Sequence, residues 1–256
     1  MTATARRFGI ALAAAGLVLA ELVAGSLLAP SGGAARPAPV PARAPRAGAG
    51  RRATGALPPG TSLVANLRRG RSLAVYRRPG AARPIRHLDA RVAPVLLVRA
   101  RRPGGWLRVL LPLRPNGSSG WIRARDVVLR TDPYRVDVRL RAHRLLVRRG
   151  GRVVLRTAIG VGRAVTPTPR GIAYVTVLLR QPDPRGLYGP WAFGLSLYSP
   201  VLSSFGGGPG QVGIHGTDAP AGIGRDVSHG CIRLPNAAIE RLARILPLGA
   251  PVRIAS

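Results

Sequence analysis

The stretch SHGCIR, Ser228 to Arg233, holds the only cysteine of the chain, Cys231, with His229 two positions before it and Arg233 two positions after. A second histidine, His215 in GIHGT, stands sixteen positions upstream. A thiol near an imidazole is a candidate nucleophile and base, because the thiolate attacks carbonyl carbon and a neutral imidazole can take the thiol proton. The competing reading is a buried inert cysteine. A short turn with glycine beside the cysteine is a poor place to pack a side chain, so the turn favours chemistry.

Two other chemistries compete for the same residues. His215, His229 and Cys231 are three potential zinc ligands, but His229 and Cys231 sit two apart without a C-x-x-C or H-E-x-x-H spacing, so no metal is expected. A two-carboxylate glycosidase has little to build on, since the carboxyl-terminal half scatters its few acids, Asp218, Asp226 and Glu240 among them. His143 and His87 have no catalytic companion in sequence and read as surface or packing residues.

The elements that must position this turn read as strands. VDVRLRAHRLLVRRGGRVVLRTAIGVG contains two alternating runs joined at Gly150-Gly151, a hairpin signal. TPTPRG, Thr166 to Gly171, is a rigid loop leading into the β run IAYVTVLL. After the cysteine turn, Asn236 is placed to cap a helix from about Ala237 to Leu246, with Ile239, Leu242, Ala243 and Leu246 on one face. Pro247 ends that helix and PVRIA returns as a strand. LYGPWAFGLSLYSP and the glycine stretch FGGGPG are expected to line or cover the cleft, with Tyr198 as a substrate-binding residue. FGGGPG carries no polar side chain for that purpose.

Upstream, residues 61–131 show short β runs separated by Pro-Gly, Gly-Gly and Asn116-Gly117 turns, the pattern of a small β barrel. The segment GGWLRVLLPLRPNGSSGWIRARDV resembles bacterial SH3-like modules that accompany cell-wall enzymes. Its role is wall or peptide binding, or that of a spacer whose Tyr76, Trp106 and Trp121 form the core. Residues 30–60 are a Pro/Ala/Arg-rich linker. Residues 1–29 hold Arg6 and Arg7 before the apolar run Phe8 to Leu28, interrupted by Glu21; this reads as a signal peptide or membrane anchor with the rest of the chain exported.

Composition agrees with a folded protein. The chain has 256 residues, 46% of them hydrophobic, and a formal net charge of +31 in which arginine supplies every basic residue. The arginines are spread over both halves and aromatics are 4%, so no basic face interleaved with stacking rings exists and no nucleic-acid partner is expected. The positive field instead favours anionic surfaces such as phospholipid headgroups or acidic wall polymers.

IHGTDAPAGIGRDVSHGCIRLPN, Ile214 to Asn236, together with TPTPRG and LYGPWAFGLSLYSPVL, resembles the L,D-transpeptidase (YkuD-type) catalytic domain. The resemblance covers about Tyr134 to Ile254 and implies a catalytic domain over residues 133–255. The implied fold is mainly β: a small SH3-like barrel followed by a β-sandwich-like catalytic domain with a short C-terminal helix. It implies that Cys231 is the nucleophile and His215 the proton donor and acceptor, oriented by the carbonyl of Gly216. Backbone N–H groups around Gly230 and Cys231 are expected as the oxyanion hole, with Ser228 and His229 bracing the turn. Arg233 would hold the site or a substrate carboxylate. No cofactor is implied. The implied partners are peptidoglycan stem peptides and carbapenem-type inhibitors, at the cell wall or membrane surface.

Rival readings separate on order and spacing. A sortase places its histidine much farther upstream of a different cysteine motif, and papain-type or wall-hydrolase peptidases place cysteine before histidine. An L,D-carboxypeptidase, with water as acceptor, and an inactive wall-binding protein of the same fold stay open.

Overall fold

The computed structural model describes residues 57–68, 70–91 and 93–256. The apolar segment 1–29 and nearly all of the 30–60 linker therefore lie outside the described residues. Among the described residues no helix is long and apolar enough to cross a membrane.

The chain is mainly β. The first seven strands are β1 (Ser62–Leu67), β2 (Ser72–Val75), β3 (Arg86–Asp89), β4 (Val95–Arg102), β5 (Trp106–Leu110), β6 (Ser119–Arg123) and β7 (Val127–Asp132). Five of them form an antiparallel sheet in the order β6-β5-β4-β1-β7, and β2-β3 is a separate hairpin linked to it by the Tyr76–Trp121 bridge. Alternating residues such as Leu107 and Val109, or Gly120 and Ile122, turn inward and exclude water from a core that includes Val64, Leu96 and Leu111. The Gly104-Gly105 turn between β4 and β5 has φ of 74° and 73°, open to glycine at little cost. Of the three aromatics expected in this core, Trp106 alone is buried; Tyr76 meets its edge at 5.3 Å and Arg123 covers its face at 3.6 Å.

The second part starts with β8 (Tyr134–Arg139), β9 (Arg144–Arg149), β10 (Arg152–Ala158), β11 (Val161–Gly162) and β12 (Gly171–Arg180). It continues with β13 (Trp191–Tyr198), β14 (Gln211–His215), β15 (Asp226–Ser228), β16 (Ile232–Arg233), α1 (Asn236–Ile245) and β17 (Pro251–Ala255). Eight of these strands make one mixed sheet, β10-β9-β8-β17-β12-β13-β14-β16, in which β8-β17 and β14-β16 run parallel. The Gly150-Gly151 hairpin is present with φ of 55° and 87°, the doubly positive geometry that matches strand twist. The run before it is two strands, not one: it breaks after Arg139, and His143 takes a φ of 45° in the turn.

Helix α1 buries Ile239 and Leu242 against the sheet, as the spacing predicts. Asn236 does not cap it. The residue before the first turn is Pro235, whose φ of −53° presets the entry, and the Asn236 side chain instead accepts the Thr217 N–H at 2.8 Å.

Leu248 packs against both cores, and a tyrosine of the second sheet enters the first one. Tyr174 on β12 is fully buried among first-sheet residues, and its hydroxyl has no hydrogen-bond partner among the described residues. Burial raises its pKa well above the ordinary phenol value, with nearby Tyr198 adding to the effect. Removing an unsatisfied buried hydroxyl relieves a desolvation cost. Tyr174→Phe is expected to leave stability unchanged or raise it by up to about 1 kcal/mol in urea unfolding. A loss larger than that would mean the hydroxyl has a bonded partner.

Candidate active site

The parallel pairing of β14 with β16 brings the two chemical residues together. The register sets Ile214 beside Ile232 and His215 beside Arg233, which puts Cys231 at the level of Gly213. A Cβ on Gly213 would lie 4.0 Å from Cys231 Sγ, ordinary van der Waals contact, so the sulfur sits on the face of β14 toward which Gly213 would project a side chain. Residues two apart on a strand share a face, so the His215 imidazole projects from β14 on the side where the sulfur sits. Both line one cleft, together with Tyr188, Phe205, Gln211 and Arg233.

His215 is buried, and its tautomer is set locally. Nδ1 donates to the Gly216 carbonyl at 2.6 Å, so Nε2 keeps its lone pair. Gly216 is held close: a Cβ there would run into Asn236 Oδ1, and the same oxygen accepts the Thr217 N–H. Burial pushes the His215 pKa down to about 4; the Gly216 bond opposes this and the Arg233 cation adds to it. At neutral pH the imidazole is therefore uncharged and ready to accept a proton. The Tyr188 ring meets its edge at 4.7 Å.

The cysteine turn is braced from several sides. Ser228 Oγ donates to the Cys231 carbonyl at 2.6 Å and accepts the Gly230 N–H at 3.1 Å. The Ser228 carbonyl accepts from Arg163 N at 3.0 Å and from Thr166 Oγ1 at 3.1 Å, so the TPTPRG loop backs the turn. Gly230 has a φ of 119°, a conformation that a side chain would strain. Its N–H faces Ser228 Oγ, which makes Gly230 part of the bracing; to serve as an oxyanion donor it has to give up that bond. His229 Nε2 accepts from Arg163 Nη2 at 2.7 Å, and the Phe205 ring lies 5.2 Å from the His229 ring.

Arg233 lines the cleft, and its backbone is fixed by exchange of hydrogen bonds with Gly160 at 2.9 and 2.8 Å. Tyr198 does not line the cleft. Its hydroxyl donates to the Pro112 carbonyl at 2.8 Å, turning the ring toward the first sheet. Three residues at the site were not assigned from sequence. Tyr188 lies in LYGPWAF, a segment that signals only a cleft wall. Arg163 and the Asn236 side chain act through contacts with residues 66 and 19 positions away, which no local pattern encodes. His143, read from sequence as a surface or packing residue, pairs through Nε2 with Asp226 at 2.8 Å at the start of the strand leading into the cysteine turn. Among the described residues no three His, Cys, Asp or Glu side chains converge as a metal set would.

Comparison with known proteins agrees with this architecture. Residues 133–254 match the L,D-transpeptidase catalytic domain family, YkuD. The protein named "Putative L,D-transpeptidase YkuD" of Bacillus licheniformis is 35% identical over 154 residues, 57% of this chain and 85% of the relative. Its namesake in Bacillus subtilis is 35% identical over 151 residues, 57% of this chain and 84% of the relative. A solved L,D-transpeptidase from Mycobacterium smegmatis is 16% identical with a TM-score of 0.40, covering 64% of this chain and 92% of that one. At that score the assignment rests on the sequence matches. With a third of the aligned residues identical over most of the length of two relatives, and a family match spanning β8 to β17, the chain belongs to the YkuD family of L,D-transpeptidases.

Proposed function

We propose that this protein is a peptidoglycan L,D-transpeptidase that cross-links stem peptides through a thioester on Cys231. The observation that carries the reading is the commitment of His215 Nδ1–H to the Gly216 carbonyl, which leaves Nε2 as a base in the cleft that Cys231 also lines. An imidazole with a pKa of about 4 is too weak to hold a thiol proton at rest, so proton transfer coincides with attack of sulfur on carbon.

The steps balance without cofactor. Cys231 Sγ bonds to the carbonyl carbon of the third residue of a tetrapeptide stem as His215 Nε2 takes the thiol proton. The C–N bond to the terminal D-alanine breaks, and the same proton goes to the departing amine. An acceptor amine then attacks the thioester, its proton passes to Nε2, and the sulfur leaves and is reprotonated. Arg233, a cation at the cleft, suits a peptide carboxylate. A carbapenem fits the same chemistry: its lactam carbonyl acylates the sulfur, and ring opening keeps every atom attached.

Around this centre the proposal places the chain outside the cytoplasmic membrane, with residues 1–29 as signal peptide or anchor, 30–60 as spacer, 61–131 as an SH3-like module and 133–255 as the catalytic domain. The full chain, incubated with a tetrapeptide-stem muropeptide, should release D-alanine and yield a cross-linked dimer by mass spectrometry. Release of D-alanine with monomeric tripeptide alone would assign the acceptor as water and make the enzyme an L,D-carboxypeptidase. Wall binding with no release at all would leave an inactive wall-binding protein.

A further inference from the structure

One wall of the cleft is a loop joining two neighbouring strands of the second sheet. Between β13 and β14, residues 199–210 form a loop from which Ser199, Leu202, Phe205 and Gly210 face the cleft. Its base closes through Ser199 N–H to the Gly210 carbonyl at 2.8 Å, and its tip through reciprocal Phe205–Gly208 bonds of 2.9 Å. Phe205 at the tip lies against the His229 ring, two residues from Cys231.

The loop is held from the first sheet. Arg114, in the turn between β5 and β6, donates through Nη1 to the Ser199 carbonyl at 2.6 Å. Its Nη2 donates to the Leu202 carbonyl at 2.7 Å and the Pro209 carbonyl at 3.0 Å. Three carbonyl dipoles from both ends of one loop thus converge on a single planar cation, a geometry that the rigid guanidinium fork meets and an ammonium does not. The same guanidinium lies 5.2 Å over the Tyr198 ring. Asn116 continues the grip: its Nδ2 donates to the Tyr198 carbonyl at 2.7 Å and its Oδ1 accepts the Tyr198 N–H at 2.9 Å, much as a neighbouring strand would. Gly210 has a φ of 67°, and a Cβ there would strike the Leu202 carbonyl and lie 3.1 Å from Arg114 Nη2, so the closure is tight.

We infer that Arg114 and Asn116 are positioning residues through which the first β unit fixes the 199–210 wall of the catalytic cleft and so sets how tightly a peptide substrate is held. The inference rests on the transpeptidase reading for its kinetic consequence, and on geometry alone for its structural one. Without the guanidinium the three carbonyls turn to water, the loop base loosens and Phe205 loses its fixed place over His229. The reacting pair, His215 and Cys231, is braced by other residues and keeps its geometry.

The test uses the full chain and the variants Arg114→Ala, Arg114→Lys and Asn116→Ala, with hydrogen exchange, stem-peptide kinetics and iodoacetamide labelling of Cys231 measured on each. Arg114→Ala should exchange the Ser199, Phe205 and Gly208 amides about tenfold faster than the parent. It should also raise KM for a tetrapeptide stem about five- to tenfold, with kcat within about twofold. Labelling by the small iodoacetamide should stay within about twofold, since it needs no wall. Arg114→Lys should restore part of the protection and part of the affinity, and Asn116→Ala should give a smaller change in the same direction. Unchanged exchange in Arg114→Ala overturns the clamp. Faster exchange with an unchanged KM overturns the role in substrate positioning. If the parent turns over no stem peptide, the transpeptidase reading fails and so does the kinetic half of the inference, while exchange still decides the structural half.

Discussion

Cys231→Ala should gain no mass from a carbapenem, whereas the parent should gain one intact molecule per chain. The parent's expected stoichiometry follows from composition: Cys231 is the only thiol, and β-lactam opening expels no fragment. Turnover of a tetrapeptide stem should fall to background in the same variant, because a methyl group has no lone pair with which to form the acyl intermediate. Folding should survive. The sulfur sits beside Gly213 at the cleft and is only half-buried, so its removal opens little new cavity, and the bonds of Ser228 to the Cys231 carbonyl and the Gly230 amide use backbone atoms that alanine keeps. Intact-mass spectrometry with thermal melting therefore separates chemistry from stability. Labelling that persists in the variant would sink the thioester mechanism, and labelling lost on adding a chelator to the parent would point to metal.

Local pattern carried the features that depend on neighbouring residues. The Gly150-Gly151 turn, the amphipathic spacing of Ile239 and Leu242, and the strand before each could be read because turn chemistry and side-chain period are properties of a few consecutive residues. That His215 and Cys231 share one cleft was legible for a different reason: the histidine, spacer and HGC pattern carries a family resemblance, whereas the parallel β14-β16 register that brings them to that cleft is tertiary. What stayed hidden depends on residues far apart or on breaks without a residue signature. His143 takes a positive φ without being glycine or asparagine, so the break between β8 and β9 had no marker. Tyr198 looked like a cleft residue because it belongs to LYGPWAFGLSLYSP, the segment expected to line or cover the cleft. The β13-β14 register shifts between Gly194 and Tyr198, and Asn116 and Pro112 from the first sheet capture the strand end. Asn236 had the right residue type for a cap, but the helix starts one residue earlier than expected, so Pro235 holds the cap position and the Asn236 oxygen accepts the Thr217 amide.

Under the proposed mechanism the same tertiary contacts take the place of a carboxylate. A triad with an acidic third member holds its imidazole by charge and raises its basicity. Here the third member is the Gly216 carbonyl, a neutral acceptor, and the Arg233 cation acts on His215 to oppose protonation. The imidazole is kept neutral by burial and aimed by one hydrogen bond. In the proposed reaction it would take a proton only as the sulfur commits to bonding and give it up readily to the leaving amine, a balance that suits a residue asked to act as base and acid in turn.

His215→Gln tests that balance twice. The acylation rate should fall by roughly 10²- to 10⁴-fold, the range for loss of a general base, while the glutamine amide fills most of the space. In the parent, acylation should weaken as pH falls through about 4, where the imidazole becomes protonated; in the variant that limb should vanish. Stability gives the independent reading. The folded pKa of about 4 lies below the unfolded value of about 6.5, so between these values the unfolded chain binds more protons and stability rises with pH. The parent should therefore lose about 2 kcal/mol from this group between pH 7 and pH 5, and roughly 3 kcal/mol once pH is well below 4. The variant lacks the titrating ring, so the difference between the two urea-unfolding curves isolates His215 from the carboxylates that titrate in the same range. A parent and variant that lose stability in parallel from pH 7 to pH 5 would mean the imidazole is charged or solvated in the folded protein. The proton would then have to leave the sulfur before attack, not during it.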